Sequence, residues 1–355
     1  MLTLRLARGS RPLVQLRRLL VAAASAGTGF LLLYVLAEAV ARPAGSAPRL
    51  LWCLVPLALT VQFAVAVART DPATWTREGL SALGLGPVRL SVVAAVSTAV
   101  SCALGSSLAL LVFLHLRGDI AGLPFDGAAA RALHADRPFP VAAALTLLAL
   151  VPLAGAPAAA LARRPRTARP PQHLLPWGLT LLAAGFAVLL YAGRQAVGAL
   201  AGWSLTAAGL VLAGPAVVHG AGALIRIARP GAARLLAGRS LQEEAARLGP
   251  PLGMLCAVAA AGLSLPVLRD RVGVPLGPLT GPAAVLAALC AAATLAVTAV
   301  ETRQARGATR EAVRELGAPR RVLRAATALR LLALLVCAAP LTWAVARLIT
   351  LALTH

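Results

Sequence analysis

Long apolar runs alternate with short polar segments along the whole chain. Nine runs stand out, at about 19–41, 50–68, 88–116, 140–162, 174–192, 201–224, 250–268, 279–300 and 325–352. At ~1.5 Å per helical residue, ~20 residues cross the hydrocarbon core of a bilayer. The pattern therefore predicts an all-α fold, a polytopic transmembrane helix bundle. The last run is too long for one straight crossing.

The polar segments carry helix signals of their own. After the second run, Asp71 can cap a helix and Pro72 can occupy its first turn. Gly84 then supplies a left-handed stop and Pro87 prevents continuation. Ser240 and Glu243 have capping-box spacing, which predicts a helix to about Leu248, ended by Gly249, Pro250 and Pro251. After the eighth run, Arg303, Arg306, Arg310 and Arg314 recur at 3–4 spacing. Ala305, Ala308, Ala312 and Leu316 form the other stripe, and Gly317 and Pro319 end the helix.

Two of these segments nearly match. "REGLSALG" (Arg77 to Gly84) precedes the third run, and "REAVRELG" (Arg310 to Gly317) precedes the ninth. A shift of about 230 residues also lays "RLARGSRPLVQLRRLLVAAASAG", from Arg5, imperfectly over the stretch from Leu235. The chain reads as a repeated block of basic segment, span, span, cytoplasmic helix and span. Six spans separate the copies, so both keep one orientation, a parallel repeat of the kind found in transporters. The boundaries predicted are a first unit at 1–165, a two-helix linker at 166–230 and a second unit at 231–355.

Composition agrees with a membrane protein. Hydrophobic residues make up 59% of the chain and charged residues 13%, too little polar surface for a soluble protein of 355 residues. The net charge of +22 does not point to nucleic acid, because the basic residues sit in short clusters with few aromatics among them. They orient the chain instead. With a cytoplasmic N-terminus, 24 arginines fall in cytoplasmic segments and 9 in the opposite ones, as the positive-inside rule requires. Trp52, Trp177, Trp203 and Trp343 fall near span ends, where indoles favour the headgroup level. The basic start followed by a full span predicts a retained first helix, not a cleaved signal.

Candidate chemistry within the spans is sparse. The chain has no lysine, so no Walker A loop and no Schiff base can be built from it, and ATPase activity is not expected of this chain. Cys53, Cys102, Cys256, Cys290 and Cys337 lie in apolar runs without a CxxC pair and read as packing residues. The 117–138 loop carries His134, Asp119, Asp126 and Asp136, with His115 just before it, but their spacing fits no metal pattern. Glu38, Gln62 and His219 are the polar groups available to a secondary transporter, and Arg330 lies near the cytoplasmic edge, where it can snorkel. No Ser–His or paired-Asp arrangement supports an intramembrane enzyme.

The stretch "ETRQARGATREAVRELGAPRRVLRAATALRLLALL", and more weakly "REGLSALGLGPVRL", resembles the FtsX-like permeases of ABC transporters. The second copy matches that family's motif through Arg310, Glu311, Leu316, Gly317, Ala318 and Val322, and the first through Arg77, Glu78, Leu83 and Gly84. The layout resembles the ten-helix, BceB-like branch. The resemblance implies a permease subunit of export or mechanotransmission type in a bacterial plasma membrane, driven by a separate cytoplasmic ATPase dimer. ATP and Mg would bind there, and no cofactor would bind this chain. Coupling contacts would come from Arg77, Glu78, Leu83 and Gly84 and from Arg310, Glu311, Arg314, Leu316 and Gly317, with membrane lipid around the spans. A lipid or amphipathic drug or peptide is the substrate class implied. Two features depart from the branch. The large extracytoplasmic domain is replaced by "RDRVGVPLGP", and the 31 residues after Arg324 hold one helix where the family has two. A further membrane subunit would supply what is missing. The alternatives are a secondary transporter and a non-transporting membrane scaffold.

Overall fold

The structure, a computed structural model, describes residues 12–43, 46–70, 87–120, 124, 126–162, 174–192, 195–227, 231–272, 279–307 and 319–354. Ten helices form, and no strand occurs among the described residues: α1 Pro12–Ala41, α2 Ser46–Trp52, α3 Leu54–Arg69, α4 Pro87–Arg117, α5 Val141–Ala162, α6 Leu175–Ala192, α7 Ala196–Ile227, α8 Ala232–Val272, α9 Thr280–Ala305 and α10 Arg320–Thr354. Eight spans are long and apolar enough to cross a membrane, with α2 and α3 counted as one, and the apolar part of α6, Leu175–Tyr191, is shorter. The chain is an all-α, multi-pass membrane protein. In lipid the backbone has no water to bond, and helices satisfy it internally.

The second span is broken at Cys53. Pro56 has no N–H for the Trp52 carbonyl and its ring crowds that turn, so α2 ends there and α3 starts anew. Other prolines are absorbed. The most consequential are Pro250 and Pro251, where the predicted stop does not occur. The capping box is not formed either: Ser240 is buried inside α8 and its hydroxyl donates to the Ala237 carbonyl, 2.8 Å away. One apolar cluster explains the continuity. It holds Leu241 and Ala245 before the prolines, Leu252 and Cys256 after them, and Val218 of α7, so both halves of α8 are gripped by the same core. Packing outweighs the two missing backbone donors. At 41 residues α8 is about 60 Å long, twice the hydrocarbon thickness of ~30 Å.

Contacts divide the chain into two compact units, Met1–Arg166 with Leu279–Cys290, and Thr167–Pro278 with Ala291–His355. In the first, α1 packs on α3, α4 and α5, α4 on α5, and α3 on α5. Hydroxyls tie these helices. Thr28 and Thr60 share a 2.7 Å hydrogen bond between α1 and α3, Ser25 donates to the Cys102 carbonyl of α4 at 3.3 Å, and Ser106 donates to Leu148 of α5 at 3.4 Å. At Gly105 a Cβ would lie 1.9 Å from Ser25 Oγ, so α1 and α4 touch at backbone distance.

In the second unit α7 is central, against α6, α8 and α10, and α8 also packs on α10. Glycines set both of the tightest seams. Gly178 and Gly185 of α6 meet Gly209 and Gly202 of α7, where added Cβ atoms would fall 2.8–3.0 Å from the facing glycine carbonyls. Between α7 and α8 the contact is closer: a Cβ on Gly249 would lie 2.2 Å from the Pro215 nitrogen. Where helices cross this tightly only glycine fits, and it brings more atoms within dispersion range. A cross-check follows from opposite signs. Gly249→Ala lowers stability in detergent by about 2 kcal/mol or more through overpacking. Gly262→Ala, with no atom within 4 Å of its Cβ, is neutral or raises it by up to about 1 kcal/mol by removing glycine from a helix. Thermal or denaturant unfolding of the two variants measures both.

Candidate functional site

The predicted coupling residues Arg77, Glu78, Leu83, Gly84, Arg310, Glu311, Arg314, Leu316 and Gly317 lie outside the described residues. Their flanks are described. The first segment leaves α3 at Thr70, whose backbone N–H and hydroxyl both donate to the Val67 carbonyl, at 3.0 and 2.9 Å, and it enters α4 at Pro87. The second follows α9 through Arg306 and Gly307 and enters α10 at Arg320, where Val322 N–H donates to the Pro319 carbonyl at 3.0 Å.

The flank of the second segment carries a buried ionic cluster. Glu244 of α8 is 5% exposed and lies beside Leu241, Ala245 and Leu248 on the packed face of the helix. Its Oε1 sits 2.7 Å from Nε of Arg306, at the end of α9, and its Oε2 accepts from Nη2 of Arg330 on α10. Arg306 also donates from Nη2 to the Ser240 carbonyl at 2.8 Å and approaches Glu243 at 3.4 Å. The 2.7 Å contact is ionic and not a well-aligned hydrogen bond, since Oε1 has no acceptable donor geometry. Each oxygen of one carboxylate is thus held by a different helix. Arg306 turns inward from the basic stripe on which its spacing placed it, and Arg330 pairs with Glu244. Both contacts have one cause. A carboxylate this buried is costly without a counter-charge, and these two guanidinium groups are within reach.

A second polar cluster lies in the first unit. Glu38 Oε1 is 3.2 Å from both Arg42 and Arg49, and Oε2 is 3.6 Å from His134 Nε2. Arg117, 4% exposed, donates to the carbonyls of His134 and Arg137, pairs with Asp119 at 3.4 Å and stacks 4.9 Å from the Phe139 ring centroid. Leu133 is buried beneath it with Leu36 and Phe113. These ties hold His134 at φ 52°, a left-handed backbone conformation unusual for a residue with a side chain. The histidines of this region have protein partners. His115 Nε2 is 3.0 Å from the Pro124 carbonyl and His134 faces Glu38, and no group of three or more metal-ligating side chains occurs among the described residues. Gln62 is exposed on α3, and His219 lies in the other unit with its Nδ1 enclosed.

Comparison with protein-family models, with characterised proteins and with solved structures finds no match to this chain. The site is therefore weighed on its own residues. Removing the shared carboxylate with Glu244→Ala takes the buried counter-charge from Arg306 and Arg330 and lowers stability by about 3–5 kcal/mol. Arg330→Ala costs less, since Glu244 keeps Arg306. Denaturant unfolding of both variants in detergent, with Arg306→Ala completing a double-mutant cycle, measures the coupling.

Proposed function

We propose that this chain is the membrane-spanning permease subunit of an ABC transporter of FtsX-like type. The observation that carries the reading is the placement of the two similar octapeptides, identical at four of eight positions. Each lies in a short segment bracketed by apolar helices, α3 and α4 for the first, α9 and α10 for the second. Six helices, α4 to α9, separate them. With α6 counted as a crossing, that even number puts both octapeptides on one side of the membrane. Arginine asymmetry makes that side the cytoplasm, and the N-terminus lies there too.

On this reading a separate ATPase dimer supplies the nucleotide chemistry, and each octapeptide offers it apolar anchors for a groove. Leu83 and Leu316 are the apolar anchors. Arg77, Glu78, Arg310, Glu311 and Arg314 are the polar contacts, with Gly84 and Gly317 completing each motif. Movement of the ATPase would reach α3, α4, α9 and α10. The cargo class that suits a bundle faced with leucine, alanine and valine is lipid or an amphipathic drug or peptide.

Co-purification tests the proposal. The tagged chain, extracted in mild detergent, should bring an ATPase with it, and Leu316→Asp should reduce the recovered ATPase at least tenfold. Glu311→Ala should reduce stimulation of ATP hydrolysis several-fold. Absence of an ATPase from the wild-type preparation, or indifference to both substitutions, would overturn the reading.

A further inference from the structure

In the second unit the helices are not held equally. The α6–α7 and α7–α8 seams are closed by glycines at backbone distance. Among the described residues, 291–305 of α9 make no extended close backbone approach to another helix. Thr298 and Thr302 are buried, yet their hydroxyls donate to carbonyls of α9 itself, Thr294 at 2.8 Å and Ala299 at 3.0 Å. A charged tie follows directly on α9: Arg306 grips a single turn of α8 through the Ser240 carbonyl, Glu243 and Glu244.

We infer that Glu244 is a latch, and that the end of α9 carrying Arg306 is a moving part of the second unit, held against α8 in one state and released in another. Three features favour release over a permanent clamp. Glu244 has two cationic partners, so when Arg306 withdraws, Arg330 still neutralises the buried carboxylate and no bare charge is left. The side chain of Arg306 is already 20% exposed, so water receives its charge without a long path. Gly307 follows it, and among the described residues nothing lies within 4 Å of the position a Cβ would take there, so no packing resists movement at that point. Glu244 acts here by positioning a helix. The inference does not depend on what drives the movement, and it stands or falls apart from the ABC reading.

Thr302, one turn before Arg306 and 3% exposed, reports the two states. The full-length chain would carry Thr302→Cys with its five native cysteines replaced by alanine, and the rate of modification by a water-soluble maleimide would be measured in detergent. Arg306→Gln, which leaves Glu244 paired with Arg330, should raise that rate at least tenfold, with the protein still monodisperse. Glu244→Gln should raise it as well. Arg330→Ala should leave it within about threefold, because the Arg306–Glu244 contact survives. An unchanged rate in Arg306→Gln overturns the latch. So does an equal acceleration in Arg330→Ala, which would mean that the helix ends loosen together and not by one contact.

Discussion

Close backbone contact between helices is the constraint from which the rest of this protein follows. Inside a bilayer, burying leucine against leucine gains little over burying it in lipid, so association must come from dispersion and polar ties. In the second unit glycines supply the first of these. Gly249 lies against Gly214 and Pro215, and Gly178, Gly185, Gly202 and Gly209 bring α6 and α7 together. In the first unit Gly105 does the same beneath Ser25, and hydroxyl bonds add the ties. Large aliphatic side chains such as Leu104, Leu108 and Leu153 are left exposed, which is their proper place in a lipid solvent.

Spans were the most legible feature of the sequence. Their signal is carried by every residue in the run, and each of the nine apolar runs falls on a described helix, with α2 and α3 sharing the second. Where a single residue decided the prediction, tertiary packing often prevailed. Gly249-Pro250-Pro251 reads as a stop in any local rule, yet a core cluster on both sides carries α8 through it. Ser240 and Glu243 have capping spacing by coincidence, because the helix begins eight residues earlier.

Glu244 is the instructive omission. Leu241, Ala245, Leu248 and Leu252 recur at 3–4 spacing, and Glu244 falls on that same stripe. A carboxylate on an apolar face demands a cation, and the spacing could have flagged it. Which cation answers could not be read, since Arg306 and Arg330 lie 62 and 86 residues away and are brought in only by the fold. The Glu38 cluster was hidden for a similar reason. Arg42 is four residues along the same helix and legible, but His134 arrives from a segment pinned by Arg117 and Leu133. The coupling residues themselves rest on motif and repeat alone.

The unbroken course of α8 has a mechanical meaning. Its close contacts with α7 run along it, at Gly238, Gly249 and Gly253, where an added Cβ would meet α7 backbone at 2.6, 2.2 and 2.2 Å. Two helices joined at several levels move as one body, so displacement at one end is shared by the other. A helix that had ended at the prolines could not do this.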